Sequence, residues 1–254
     1  MLLLTMALLL GGCAAPETAP TELEDLIGWM FAHLDDDDPD AIVEGSTTLD
    51  GWMNDNLDQT LEGYEVTVLD DETIATLGVD ERDLDGLQGV AVGYEHTKDL
   101  GELADAVMQD PEELHPDLYV EYDYEAIDGT KECFADGSCN RLEITCHALE
   151  NLGMGIQLDI SSQLQFRRYD TPDGPAFAYR YWTTEPPTVT TDLFSLDQSY
   201  FFWAFVPHGD VIRSMQASWV VVTVLADDLD SDIVLNLWVD GMIKGAKDLD
   251  EREE

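Results

Sequence analysis

Residues 155–168 read GIQLDISSQLQFRR. Ile156, Leu158, Ile160, Leu164 and Phe166 fall on one parity, and Gln157, Asp159, Gln163 and Gln165 on the other. Successive side chains of a strand point to opposite faces, so this spacing predicts a long strand with one buried and one wet face. One-sided burial is the habit of antiparallel sheets. The turn signal Pro172-Asp173-Gly174 leads into AFAYRYW, and Pro207-His208-Gly209-Asp210 separates SYFFWAFV from SMQASWVVVTVL. These segments read as an antiparallel meander. Its last two strands are apolar on both parities and need a cover. A final helix capped by Ser231 would provide it, with Val234, Leu235, Trp238, Met242 and Leu249 on one side.

Upstream the pattern is mixed. Thr21-Glu22-Leu23-Glu24 reads as a capping box, followed by Leu23, Leu26, Ile27, Met30 and Leu34 at helical spacing. Leu49, Trp52, Met53 and Leu57 suggest a second helix. Tyr64, Val66 and Val68 alternate as a short strand, as do Val90 and Val92, whereas Leu100, Leu103, Ala104 and Val107 fit another helix. Leu118, Val120, Tyr122 and Tyr124 are expected to share one face of a strand. The expected fold class is α+β: an antiparallel β-meander covered by a C-terminal amphipathic helix, with a mixed helix and short-strand N-terminal region. Residues 21–254 are read as one acidic domain.

Charge is uneven along the chain. Of 254 residues, 55 are acidic and 11 basic, a formal net of −44. Residues 1–130 carry 34 acidic and 2 basic side chains, and residues 131–254 carry 21 and 9, so a sub-boundary near 130 is the alternative division. A field of this sign repels phosphate backbones and excludes nucleic acid as a partner. It suits a hydrated surface in salty surroundings, where screening removes much self-repulsion, or contact with a basic protein. An apolar fraction of 44% is ordinary for a folded domain.

Leu2 to Leu10 form an apolar run too short to span a bilayer, which needs ~20 residues. It fits the hydrophobic region of a secretion signal, although Met1-Leu2-Leu3-Leu4 lacks the usual leading Lys or Arg. Leu10-Gly11-Gly12-Cys13 resembles the lipobox of bacterial lipoproteins. The resemblance implies a signal peptide over 1–12, lipidation at Cys13, a tether over 13–20 and a membrane anchor in the cell envelope. Ala14 after the cysteine leans towards the outer membrane.

Export meets an oxidising compartment, so CFADGSC invites a disulfide between Cys133 and Cys139, with Asp136-Gly137 turning the chain between two strand ends. Cys146 continues the alternation Leu142, Ile144, Cys146, Ala148 and reads as a small buried hydrophobe. A zinc site using Cys133, Cys139, Cys146 and His147 is disfavoured, because Cys146 and His147 point to opposite faces.

No nucleophile-elbow, P-loop, zinc-protease or dinucleotide motif occurs, so no enzyme, catalytic residue or cofactor is read from the sequence. In LDDDDPDAIVEG an EF-hand register from Asp35 puts Pro39 at position five, Asp40 at six and Ser46 at twelve, which fails. Loose surface Ca²⁺ at Asp35 to Asp38 is the residual metal expectation. Aromatic residues concentrate in the meander and last helix. Tyr179, Arg180, Tyr181, Phe202, Trp203, Trp219 and Trp238 are therefore candidate ligand-lining residues, with Arg180 placed to orient an acidic head group.

The element order of 141–250, a meander closed by a long helix, resembles the second half of helix-grip proteins of the START and Bet v 1 type. That resemblance implies a cavity for a lipid or other apolar molecule. Two functional expectations follow. The first is a tethered envelope lipoprotein with an acidic structural or interaction role and no catalysis. The second is a lipoprotein that binds a hydrophobic small molecule between sheet and C-terminal helix.

Overall fold

The computed structural model describes residues 18–79, 85–114, 117–153, 155–224 and 231–251. The signal peptide, Cys13 and most of the tether lie outside the described residues, as do the side chains of Ser231, Val234 and Leu235.

One sheet organises the molecule. Its strands are β1 (Tyr64–Val66), β2 (Gln88–His96), β3 (Tyr119–Asp128), β4 (Arg141–Gly153), β5 (Ile156–Thr171), β6 (Gly174–Thr183), β7 (Thr188–Val189), β8 (Phe194–His208) and β9 (Val211–Val224). They lie in the order β1-β2-β9-β8-β6-β5-β4-β3, with β7 paired to β5, and every pairing is antiparallel. The strongest alternation in the sequence lies in β5, which pairs with β4 and β6. Strands from the N-terminal region extend both ends of the meander: β2 joins β9, and β3 joins β4.

Both faces of the central strands are covered. On one face lie α1 (Leu23–His33) and α2 (Asp40–Asn56), which bury Leu23, Leu26, Ile27, Met30, Phe31 and Leu49 against Tyr200, Phe202, Ala217 and Trp219. The capping box expected at Thr21 is not formed. Glu22 is the N-cap without a side-chain bond, and Glu24 instead accepts from the Tyr64 hydroxyl at 2.7 Å. A tertiary hydroxyl has outcompeted the local backbone amide for that carboxylate. The short helix α3 (Asp71–Ala75) adds Ile74 to the core under α1 and α2. The remaining helices are α4 (Leu100–Met108), α5 (Pro111–Leu114), α6 (Lys131–Ala135) and α7 (Ser231–Glu251). Of these, α4, α6 and the end of α7 pack on the opposite face, where Leu103, Phe134, Phe177, Phe205 and Leu249 share one core.

Three basic side chains tie the sheet to the end of α1. Arg180 donates to the Phe31 carbonyl at 2.6 Å, Arg167 to Leu34 at 2.8 Å, and Arg141 to Asp36 at 2.7 Å and to the Asp35 carboxylate at 3.1 Å. The carbonyls at a helix C-terminus lack intrahelical partners and carry partial negative charge, so guanidinium groups suit them. The DDDD segment is thus held by arginines. Among the described residues no three His, Cys, Asp or Glu side chains converge as a metal site.

Cys133 and Cys139 are disulfide-bonded with Cα atoms 5.3 Å apart. The bridge does not join two strand ends. Cys133 lies in α6, whose first turn is closed by Thr130 accepting from the Cys133 amide, while Phe134 is fully buried beneath. The aromatic core at Phe134 decided for a helical turn that local sequence left ambiguous.

Candidate functional site: a cavity under α4

A cavity of about 320 Å³ opens between the sheet and the helices on its second face. Its floor is built from same-parity residues of four strands: Ile144, Cys146, Ala148 and Glu150 of β4; Ile160, Ser162, Leu164 and Phe166 of β5; Tyr179 and Tyr181 of β6; and Trp203 of β8. Its roof is α4 and its exit, through Ala106 to Gln109 and Pro111, with Gly245 and Leu249 from the end of α7. Its side wall carries Tyr119 and Tyr122 of β3 and Lys131 of α6. The volume is near the lower end of the ~300–1,000 Å³ usual for small-molecule pockets. It suits one compact or single-chain molecule.

Strand parity sorts the candidate residues. Tyr179, Tyr181 and Trp203 line the cavity. Arg180, Phe202 and Trp219 do not: they point to the opposite face, where Phe202 and Trp219 are buried against α1 and α2. The Arg180 guanidinium donates to Gln165 at 2.7 and 2.9 Å as well as to Phe31, and burial brings its pKa down to about 10. It cannot orient a head group in the cavity, because neighbouring residues of one strand face opposite ways. Trp238 lies outside the lining as well. Its helix crosses β2 and β9, where Val239 and Met242 pack on Val90 and Val92, and its indole donates to Ser218 at 2.8 Å. Only the last turns of α7 reach the cavity.

The structure adds wall residues that the sequence reading passed over. Glu150 continues the buried parity of β4 by one more step, so extending that alternation would have found it. Tyr119 was hidden by a bulge: the register slips between Tyr119 and Glu121, leaving Val120 exposed and bringing Tyr119 to the wall beside Tyr122. An extra residue in one strand reverses parity on either side of it.

The cavity is apolar at its centre and polar along the β3–β4 side. Glu150 is half-buried, and desolvation raises its carboxyl to about 7, partly offset by a hydrogen bond from Tyr119. Burial also pushes the Cys146 thiol up to about 11, which keeps it protonated and weakly nucleophilic at neutral pH, and pushes the Tyr181 hydroxyl up to about 12. Tyr119 and Tyr122 are raised further by the same cause. Lys131 lies at the far end with its ammonium 3.9 Å from the Tyr124 ring centroid and 5.4 Å from that of Tyr122. Trp203 is only 6% exposed, and its buried indole N–H has no hydrogen-bond partner. An unpaired buried donor costs about 1–3 kcal/mol, and the indoles of Trp29 and Trp182, outside the cavity, are in the same position.

A larger groove of about 540 Å³ lies outside α1. Five carboxylates (Glu24, Asp25, Asp36, Asp70 and Glu72) rim it, and it is about as open to solvent as the cavity under α4. Among the described residues, His96, His147 and His208 are each paired with an aspartate (Asp250, Asp159 and Asp50), and none lines the cavity.

No protein-family model matches the chain, and no curated protein sequence does. Several solved structures are similar in fold. The human StarD13 (DLC2) lipid transfer and protein localization domain is 10% identical, with 80% of this chain and 94% of that one covered and a TM-score of 0.44. Human STARD10 is 9% identical over 73% of this chain and 80% of its own, with a TM-score of 0.42. A START superfamily protein from Mycobacterium smegmatis is 12% identical over 64% and 94%, with a TM-score of 0.37. These are START-type proteins, the group that the element order of 141–250 resembles.

Proposed function

We propose that this protein binds one compact hydrophobic molecule in the cavity under α4, and that Cys13 tethers it to the cell envelope. The observation that carries the reading is the space of about 320 Å³ between sheet and helices, open at one side and walled by Leu164, Phe166, Tyr179, Tyr181 and Trp203. Such a largely apolar, aromatic wall with a few polar groups is the usual lining of a small-molecule site. The lipobox-like Leu10-Gly11-Gly12-Cys13 supports the tether.

One preparation of the full chain, purified from membranes in detergent and exchanged out of it, tests both parts. The neutral apolar probe N-phenyl-1-naphthylamine is expected to bind one per chain with enhanced fluorescence. Ala148→Trp, which places an indole in the floor, should abolish that binding while the fold, checked by circular dichroism, persists. Absence of uptake by the parent chain, or equal uptake by the filled variant, would remove the cavity reading. A denaturing mass spectrum is expected to show acylation at Cys13; an unacylated Cys13 would remove the tether and leave the cavity untouched.

A further inference from the structure

Within that binding reading, we propose that the ligand is a lipophilic amine whose ammonium group pairs with the Glu150 carboxylate at the β3–β4 end of the cavity. The wall at this end is strongly one-sided. Glu150 faces the cavity with one hydrogen bond from Tyr119, and among the described residues no Lys, Arg or His forms an ion pair with it. Among the described residues the one cavity cation is Lys131, which is engaged with the rings of Tyr124 and Tyr122. Tyr124 pairs with Cys146, four residues along β4 from Glu150, a separation of about 13 Å at strand rise. Lys131 forms no ion pair with Glu150.

Three physical terms favour a cation there. A carboxylate in a site of low polarity gains most from a partner that brings opposite charge together with N–H donors. Tyr119 donates to Glu150 and Tyr181 is near enough to feel its charge, and tyrosine rings attract ammonium groups. The net charge of −44 concentrates cations near the surface and repels fatty acids. A carboxylate ligand would place two like charges at the polar end. An alcohol would leave the ionised Glu150 without a counter-charge.

Among the described residues, the titratable groups at or beside the cavity besides Glu150 are Tyr119, Tyr122, Lys131, Cys146 and Tyr181, with Asp110 near Lys131 and Tyr122. The residues from α4 and α7 that line it (Ala106, Val107, Met108, Gly245 and Leu249) are not ionisable. Between pH 5 and 8, Glu150, at about 7 in the free protein, is thus the cavity group expected to change charge. Ammonium binding requires its ionised form. Amine affinity should accordingly be high at pH 8 and fall by up to about tenfold per unit below pH 7, a limit set by uptake of one proton.

The test compares decylamine, decanol and decanoate as displacers of N-phenyl-1-naphthylamine from the full chain at pH 5, 6, 7 and 8. Decylamine is expected to win at pH 8 and to lose its advantage towards pH 5. Glu150→Gln should weaken it roughly 10- to 100-fold at pH 8 while decanol changes little. Glu150→Asp, which keeps the charge, should retain part of the preference. Equal displacement by all three compounds, or a preference that survives in Glu150→Gln, overturns the inference; the latter identifies adsorption to the acidic surface, which loses only one of its 55 acidic groups. Failure of the probe itself to bind the parent chain would instead strike the cavity reading.

Discussion

Arg180 shows how far one side chain's role depends on the face it occupies. Its 5% exposure and bonds to Phe31 and Gln165 make it a structural clamp between β6 and α1. Replacing it by Met would leave a helix-terminal carbonyl and the Gln165 oxygen unpaired in the core. The expected cost is about 2–4 kcal/mol, because orphaned buried acceptors lose their full solvation. Urea unfolding should show that loss, with probe uptake by the folded fraction unchanged. Weakened uptake at full stability would place Arg180 in the binding machinery instead. Glu150 is the converse case. It is ordinary in a chain so rich in carboxylates, and only its position in the cavity wall makes it distinctive.

At the scale of elements, α6 is the least self-sufficient part of the site. It has five residues, Lys131–Ala135, yet it carries Lys131 into the cavity wall and Phe134 into the core. Isolated helices of that length do not persist in water. The Cys133–Cys139 bridge and the arginine at 168, which donates to the Phe134 and Ala135 carbonyls at 2.7 and 2.9 Å, hold it in place. Closing so short a loop stabilises by about 2 kcal/mol in the chain-entropy view. Cys133→Ser with Cys139→Ser should therefore lose about that amount in chemical denaturation. An unchanged midpoint would mean that the Phe134 anchor and Arg168 suffice.

For the whole molecule, net charge and compactness oppose each other. A charge of −44 on 254 residues favours expansion, and salt relieves it as the screening length falls from ~30 Å at 0.01 M to ~3 Å at 1 M. The melting temperature is expected to climb by roughly 5 °C or more over that range, since about 2–4 °C accompanies each kcal/mol in a domain of this size. Scanning calorimetry in NaCl and KCl checks this; a flat or falling trend would show that repulsion is not a significant cost.

The antiparallel meander, its turns and the final helix were legible in the sequence because alternation, turn residues and helical spacing are local properties of the chain. Cys133 and Cys139 were legible for the same reason: six residues apart, they can hardly avoid meeting. The cavity was not. Tyr179, Tyr181 and Trp203 are separated from Arg180 and Phe202 by one residue or less along their strands, and which parity faces the roof depends on where distant helices pack. A single bulge at Val120 moved Tyr119 into the wall, and α1 claimed the opposite face through carbonyls some 150 positions away from Arg180. Local periodicity determines that a strand has two faces. Only the placement of layers hundreds of atoms apart decides which face becomes core and which becomes a binding site.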